Sequence, residues 1–336
     1  MTKVQGELFL AVPEVGAAPA LLADWLELTA FLSAERKALL NQLMSNQDLQ
    51  WDTPVEDVSE EDEALEDTAS IAAGEIERRG NVLDGAYPFR MTADGRFVVM
   101  DDEPDFGIGD FIYLFCLIVD HAKQSQIVPE ELAPTSREML VARDLFQVCA
   151  TLAAAGYCVG PAFSLGFPRT DGSGFLKKVA EIWGHFKDGK PRERPLSGTA
   201  DVKDEGIDVV AWRSRRDSSP GTLYLLGQAA SGHNWQGKSV KEHIVVFHEE
   251  WFEVAPAMQA SPALFIPEML DDEDILRRFT RSHGQIFHRG RLPFDADQAP
   301  ALAKAGVGPI ERIDDVAEVK RWLLDYRKRV RHEDVI

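Results

Sequence analysis

Two stretches, Ile207-Asp-Val-Val-Ala-Trp-Arg213 and Thr222-Leu-Tyr-Leu-Leu-Gly-Gln-Ala229, decide the fold of this chain. Both are rich in the β-branched, aromatic and aliphatic residues that are typical of strands. Between them, Arg216-Asp-Ser-Ser-Pro-Gly221 has the composition of a turn. We therefore predict a β-hairpin centred on Ser218.

The register of this hairpin predicts a pair of polar side chains. If the numbers of paired residues add up to about 436, Asp208 faces Gln228, and such partners have Cβ atoms roughly 4.5–5.5 Å apart. A carboxylate and an amide oxygen would then emerge side by side, and Mg²⁺ prefers oxygen ligands of this kind. Two simpler alternatives remain open: Asp208 bonds a turn amide at the strand end, and Gln228 belongs to a buried polar network.

Helices and strands on both sides of the hairpin predict an α/β domain. Thr135 and Glu138 form a capping box that opens a helix ending at Gly156, and a strand is predicted over 157–163. Further helices are predicted over 175–186, 237–250, 272–283 and 314–332, and further strands over 262–266 and 285–292. We assign residues 131–336 to this domain.

The N-terminal part has a different composition. Residues 1–130 carry 8 Lys and Arg against 26 Asp and Glu. A helix is predicted over 21–45, a hairpin over 90–100 and a buried helix or strand over 111–123. The stretch 52–69 contains no basic residue, which is typical of a solvated linker or loose helix, or of a segment that mimics DNA or docks a partner. We predict a separate, helix-rich acidic domain over 1–130.

Composition and missing motifs exclude several classes of protein. The chain has 336 residues, 45% of them hydrophobic, and a net charge of −20, which argues against nonspecific nucleic-acid binding by the whole surface. The longest apolar run, Phe111–Val119, is too short to span a bilayer, and the N-terminus has no signal-peptide pattern. The three cysteines favour reduced core thiols, so we expect a cytoplasmic protein without a membrane anchor. There is no P-loop, nucleophile elbow, dinucleotide fingerprint or zinc-ligand spacing.

A family resemblance covers residues 135–250. The helix ending at Gly156-Tyr157, the strand Gly206-Ile-Asp208-Val-Val and the hairpin into Gly227-Gln228-x-Ala230 resemble the PD-(D/E)xK restriction-endonuclease-like superfamily. The resemblance implies an αβ core with a mixed central sheet, DNA as the substrate and Mg²⁺ or Mn²⁺ as the cofactor.

Carried over to this chain, the resemblance assigns individual roles. It makes Asp208 the first metal ligand and puts Gln228 at the D/E position, with Asp144 on the preceding helix as a third ligand. Ala230 stands where the family has a lysine, so Lys238 is expected to bring an ammonium back into the site. The catalytic residues are thus Asp208, Gln228 and Lys238. Asp144 is a better candidate for this acid than Glu138, because the capping box explains Glu138. An exposed, uninvolved position is the alternative for Asp144.

The resemblance also implies a surface for DNA and a function. The residues expected to contact phosphates are basic; they are Lys177, Lys178, Lys187, Lys190, Arg192, Arg194 and Lys241. A merely solvated surface is the alternative. The segment 228–235 resembles a motif of bacterial anti-phage defence proteins, and we expect a metal-dependent DNA nuclease of that kind. The rival hypothesis is a catalytically silent subunit that binds or regulates, with a protein partner at the acidic domain.

Overall fold

The chain forms two compact units. The computed structural model describes residues 10–14, 16–43, 58–122, 125–167, 169, 172–197, 206–215, 217 and 219–332, with the backbone alone for residues 58–66. The first unit comprises Met1–Met139 and Lys320–Ile336, and the second comprises Leu140–Val319. The residues from Lys320 onward therefore belong with the N-terminal part, which the sequence did not predict.

The described part of the first unit combines helices with a small antiparallel sheet. Its helices are α1 (Pro19–Leu32), α2 (Val58–Leu83) and α3 (Ile108–Asp120), and its strands are β1 (Lys37–Leu39), β2 (Phe89–Met91) and β3 (Phe97–Met100). The sheet has the order β1-β3-β2. The predicted hairpin over 90–100 is confirmed, with Arg90 paired to Val99, and the segment that was predicted as helix or strand over 111–123 is helix.

Two predictions for the first unit need correction. The helix predicted over 21–45 ends at Leu32, because Arg36 adopts a φ of +54° and the chain turns into β1, which pairs with β3. The acidic stretch 52–69 is helical from Val58 onward, as the start of α2. Its first residues, 52–57, lie outside the described part of the chain.

A buried guanidinium connects α1 and α2 inside the first unit. Arg79, which is 1% exposed, donates from Nη1 to Asp24 Oδ1 at 2.6 Å and to Glu27 Oε1 at 2.8 Å, and from Nε to Glu75 Oε1 at 2.7 Å. The Tyr113 hydroxyl donates to Glu27 Oε2 at 2.8 Å. Burial disfavours the charged guanidinium, yet Glu27 and the neighbouring acids raise the pKa of Arg79 well above its usual value. The ion cluster therefore depends on all its members.

We predict that Arg79→Met is strongly destabilising, because it leaves buried carboxylates without their counter-charge. The expected loss is about 3–5 kcal/mol of unfolding free energy. The neighbouring Arg78 also pairs with Glu75, but its side chain is 45% exposed, so Arg78→Met should cost less than about 1 kcal/mol. Urea denaturation followed by far-UV circular dichroism measures both variants. Equal losses in the two would contradict the assignment.

The C-terminal helix packs within the first unit through specific hydrogen bonds. This helix, α10 (Val316–Val330), is the last regular element of the described chain. Its Trp322 Nε1 donates to the Glu138 carbonyl at 3.0 Å, and its Tyr326 hydroxyl donates to the Leu132 carbonyl at 3.1 Å. Arg329 bonds the Glu138 carboxylate at 2.9 Å. Contacts of this kind explain why the residues from Lys320 onward belong to the first unit.

The second unit is built on a five-stranded sheet. The helices preceding α10 are α4 (Ser136–Cys158), α5 (Phe175–Phe186), α6 (Val240–Trp251), α7 (Glu273–His283), α8 (Leu292–Asp297) and α9 (Ala299–Ala305). The strands are β4 (Ala162–Ser164), β5 (Lys190–Pro191), β6 (Val209–Trp212), β7 (Tyr224–Ala229), β8 (Phe252–Val254), β9 (Ser261–Phe265) and β10 (Gln285–Phe287). The main sheet has the order β10-β9-β7-β6-β4, and β5 pairs with β8 apart from it.

The main sheet is mixed, as predicted for an α/β fold. Strand β6 is antiparallel to both of its neighbours, β4 and β7, whereas β7, β9 and β10 pair in parallel. Strands β4, β7, β9 and β10 therefore all run in one direction. Their carboxyl ends meet at one edge of the sheet, where β6 begins.

The predicted hairpin has the predicted register. Val209 pairs with Gly227 and Trp212 with Tyr224, so the paired numbers add up to 436 along the ladder. The capping box is confirmed too: the Thr135 amide donates to Glu138 Oε2 at 2.6 Å, and the Glu138 amide donates to Thr135 Oγ1 at 3.3 Å. The strand predicted over 157–163 is wrong at its start, because α4 continues to Cys158 and β4 begins only at Ala162.

Buried apolar side chains pack against the main sheet in two clusters. One cluster of buried side chains joins α5 and α6 to the hairpin, and it includes Trp183, Trp212 and Trp251. Trp212 lies flat against Phe163 with ring centroids 5.6 Å apart, which makes it a core residue rather than an exposed stacking platform. A second cluster around Trp235 and Ala230 packs against α7.

One described helix is long and apolar enough to cross a membrane. It is α4, and 72% of its most apolar window is buried inside the protein, as expected of a core helix. The cysteines Cys116, Cys149 and Cys158 are free and buried. Burial raises the pKa of the Cys158 thiol to about 12, so this thiol is protonated and unreactive at neutral pH.

Candidate active site at the sheet edge

Polar side chains gather where the parallel strands of the second unit end. Ser164 closes β4, Gln228 lies near the end of β7, and Asp208 directly precedes β6. Gln147 of α4 reaches the same place, and Gly166 follows β4. We call these five residues the polar edge. In α/β sheets, ligands bind outside the carboxyl ends of the strands.

Asp208 is held firmly at this edge. Its side chain accepts a hydrogen bond at Oδ2 from the Ala229 amide at 2.8 Å, and its own amide donates to the Gly227 carbonyl at 2.8 Å. Its carbonyl accepts from the Leu165 amide at 2.7 Å. Only 7% of the residue is exposed. The bond from the Ala229 amide matches the simpler alternative, an aspartate that bonds a backbone amide at a strand end.

Gln228 supplies the unusual atom of the polar edge. Its position continues the hairpin register that pairs Val209 with Gly227, and on its other side it pairs with Leu264 of β9. The amide oxygen, Oε1, is buried and has no hydrogen-bond partner among the described residues. A buried amide oxygen without a partner is costly. It is therefore a candidate to bind a ligand that brings its own positive charge or donor.

A glycine makes room between two polar side chains. A Cβ built on Gly166 would lie 2.7 Å from Asp208 Oδ1 and 2.4 Å from Gln147 Oε1. The side chains of Gln147 and Asp208 therefore converge on one point, next to the backbone of residue 166. Ser164 Oγ donates to Gln147 Oε1 at 3.4 Å. Sequence reasoning missed Gln147, Ser164 and Gly166, because none carries a charge or belongs to a motif.

Both carboxylate oxygens of Asp144 accept hydrogen bonds from an arginine. Arg312 donates to both of its carboxylate oxygens, from Nη1 to Oδ1 at 3.0 Å and from Nη2 to Oδ2 at 2.8 Å. Although burial disfavours the charge, Asp144 and Asp315 raise the pKa of the Arg312 guanidinium. This bidentate pair corrects the sequence prediction of Asp144 as a metal ligand, since it assigns both oxygens to a structural role.

An apolar residue, Ala230, stands at the position where the restriction-endonuclease-like family has a lysine. Ala230 is fully buried and packs with Trp235, Leu264 and Ile266. Lys238 follows the turn that carries Trp235 and is partly exposed; its amide donates to the Trp235 carbonyl at 2.9 Å, whereas its ammonium forms no hydrogen bond or ion pair with the described residues. The structure therefore does not bring the Lys238 ammonium together with Asp208 and Gln228, and its catalytic role stays a prediction.

The basic residues expected to contact DNA fall into different environments. Lys178 is buried, with its ammonium 2.8 Å from Glu311 Oε1 and 3.3 Å from Glu181 Oε2, so its prediction as a phosphate contact is wrong. Lys190 pairs with Glu253, and the Lys241 ammonium donates to the Arg281 carbonyl at 3.1 Å. The remaining candidates are exposed or partly exposed, and they are Lys177, Lys187, Arg192 and Arg194.

Two further charged residues follow the parallel strands at the same end of the sheet. Glu268 comes three residues after β9, and Arg289 comes two residues after β10 and is fully buried. The Arg289 amide donates to the Glu268 carbonyl at 3.0 Å. Sequence reasoning placed 285–292 in a strand but had no way to bring it beside β9. Parallel pairing over a helical crossover leaves no local sequence signal.

One group of candidate metal ligands in the described chain lies elsewhere. Asp24, Asp120 and His121 of the first unit have ligand atoms within 4.8 Å of one another. His121 Nε2 lies 2.8 Å from Asp24 Oδ2, and Asp24 also binds Arg79. These contacts explain the group as part of the buried ion cluster.

Comparisons with protein-family models, with curated proteins and with solved structures find no match to this chain. The geometry of the polar edge is therefore the basis for assigning a function.

We predict opposite effects of two glycine substitutions in the second unit. Gly166→Ala should lower the unfolding free energy by about 1–3 kcal/mol, because its methyl group displaces Asp208 and Gln147. Gly184 lies in α5 with open space around it, so Gly184→Ala should raise stability by roughly 0.5–1 kcal/mol. Chemical denaturation of both variants tests the packing. A neutral or stabilising Gly166→Ala would contradict it.

Proposed function

We propose that the second unit is a Mg²⁺- or Mn²⁺-dependent nuclease that hydrolyses phosphodiester bonds in DNA, built on a restriction-endonuclease-like core. The observation that carries the proposal is the buried, unpartnered Oε1 of Gln228 next to β6, the strand that Asp208 directly precedes. The hairpin register that brings these two residues to one edge is the one the resemblance requires. A role in anti-phage defence belongs to the same proposal and rests on the resemblance of 228–235.

The donors at the polar edge fit a hard divalent cation. Asp208 offers a carboxylate, Gln228 offers an amide oxygen, and Mg²⁺ commonly binds to proteins through one or two carboxylates and completes its shell with water and phosphate oxygens. Neither donor is a thiolate or an imidazole, so the set favours magnesium or manganese over zinc. Asp144 is left out of this set, because Arg312 holds both of its oxygens.

Each residue of the proposed site has a separate task. A bound divalent cation supplies an activated water and stabilises charge on the scissile phosphate. Asp208 holds the cation, and the hydrogen bond from the Ala229 amide fixes its orientation. Gln228 adds a neutral donor, and Lys238 steadies negative charge on the phosphate. The exposed Lys177, Lys187, Arg192 and Arg194 contact the DNA backbone, which positions the duplex without reading its sequence.

The buried Ala230 favours a second candidate function. With no lysine in the expected place and Lys238 making no contact at the edge, the same fold is suited to a silent subunit that binds DNA or regulates a partner. The excess of acidic residues in 1–130 supports a basic protein partner for that role. No stabilisation by Mg²⁺ is expected of such a subunit, whereas a true site binds the metal in the native state.

Nicking of supercoiled plasmid in Mg²⁺ or Mn²⁺ tests the nuclease proposal. We expect metal-dependent nicking by the wild type and a loss of roughly 100-fold or more in Asp208→Asn. Asn keeps an acceptor for the Ala229 amide, so the fold should persist. Lys238→Met should slow nicking by roughly 100-fold, the effect of removing one charge-stabilising donor.

Asp217→Asn is the matched control, since Asp217 is exposed in the loop before β7, where it accepts a hydrogen bond from the Ser219 amide. Its nicking rate should equal that of the wild type. Retained nicking in Asp208→Asn would contradict the proposal that Asp208 belongs to the active site. Absence of nicking in every variant and in the wild type would contradict the nuclease proposal and favour the silent subunit.

A further inference from the structure

A basic pocket opens at the other end of the hairpin. It has a volume of about 200 Å³ and lies where β6 ends and β7 begins. Four basic side chains line it, and they are His185, Lys187, Arg213 and Arg215. Trp212, Phe186 and Pro161 form its apolar wall. We use the name basic pocket for this site.

The charge in this pocket is compensated only in part, by the exposed Asp217, which interacts electrostatically with Arg215. No carboxylate of the described residues lines it. The neighbouring Asp188 is buried, and its carboxylate accepts hydrogen bonds from the Gly221 amide at 2.8 Å and from the Ala257 amide at 3.1 Å. Asp188 therefore stabilises the backbone at these two positions. Like charges gathered in a concave site repel one another, and an anion relieves that repulsion. This local excess stands out in a chain whose net charge is −20.

The backbone around the basic pocket is firmly positioned. A Cβ on Gly160 would lie 2.1 Å from the Trp212 carbonyl oxygen, so the two backbones touch and only glycine fits. The Arg213 amide donates to the Leu223 carbonyl at 2.9 Å, and Thr222 Oγ1 donates to the Arg213 carbonyl at 2.8 Å. Ser214 Oγ donates to the Val307 carbonyl at 2.7 Å. A fixed backbone lowers the entropic cost of gathering basic side chains around a ligand.

We propose that the basic pocket binds a phosphate group. Guanidinium groups match the oxygens of phosphate with paired hydrogen bonds, and Arg213 and Arg215 supply two of them. The volume suits a phosphate better than a whole nucleotide, since pockets for larger ligands measure roughly 300–1,000 Å³. The ligand is either free phosphate or the terminal phosphate of a nucleic-acid strand, and the chemistry of recognition is the same.

This site is separate from the polar edge. Asp208 precedes β6 and Trp212 ends it, so four residues of strand, about 13 Å, lie between the two sites. One phosphate cannot touch both Asp208 and Arg213. The inference therefore stands independently of the proposed nuclease activity, and its test needs neither metal nor cleavage.

Isothermal titration of the full chain with inorganic phosphate, at constant ionic strength and without divalent metal, tests the pocket. We expect saturable binding by the wild type, weakened at least about tenfold in Arg213→Gln/Arg215→Gln, because the variant loses two guanidinium groups that form charge-assisted bonds with phosphate. The control Arg277→Gln/Arg281→Gln removes the same charge from the exposed face of α7 and should bind like the wild type. Both pocket arginines are exposed, so circular dichroism should show an unchanged fold.

Oligonucleotides identify the source of the phosphate. Displacement of bound phosphate by a 5′-phosphorylated oligonucleotide, but not by its 5′-hydroxyl counterpart, supports the pocket with a strand end as its ligand. Displacement by neither supports it with a small phosphate as its ligand. The absence of phosphate binding in the wild type, or equal weakening in the control variant, would overturn the proposal.

Discussion

The backbone pairing of β6 with β7 is the constraint on which the functional geometry depends. A shift of one residue in this antiparallel ladder would turn each side chain of one strand to the opposite face. The observed register, from Val209–Gly227 to Trp212–Tyr224, buries Val210, Leu226 and Tyr224 in the main core cluster. This register in turn fixes where Asp208 and Gln228 emerge.

The same hairpin gives the sheet two chemically different ends. At the carboxyl ends of the parallel strands, Asp208 and Gln228 offer oxygen atoms, which are suited to a cation. At the other end, Arg213 and Arg215 line a pocket without carboxylates, which is suited to an anion. Four strand residues separate the two sites, so each can be disabled by substitution without touching the other. A protein that binds a phosphodiester would have use for both kinds of site.

Local sequence signals predicted local structure well and long-range contacts poorly. The capping box at Thr135, the helix over 175–186 and the hairpin register depend on neighbouring residues, and all are confirmed. The burial of Lys178 against Glu311 and the pairing of Asp144 with Arg312 join residues more than 130 positions apart, so no spacing rule predicts them. The same holds for the contacts of Arg79 with Asp24 and Glu27, which come from a different helix. Of the candidate site, the sequence predicted Asp208 and Gln228 but not Gln147 or Gly166, because a gap between two side chains exists only after folding.

The most direct test of this account is the binding of Mn²⁺, followed by electron paramagnetic resonance, in the wild type and in the variants Gln228→Glu and Asp208→Asn. If the unpartnered Oε1 of Gln228 faces a cation site, a carboxylate in its place adds ligand charge and should tighten Mn²⁺ binding by at least about tenfold, while Asp208→Asn should weaken it by a similar factor. If Gln228→Glu binds Mn²⁺ no more tightly than the wild type, or Asp208→Asn binds it equally well, the polar edge is not a metal site.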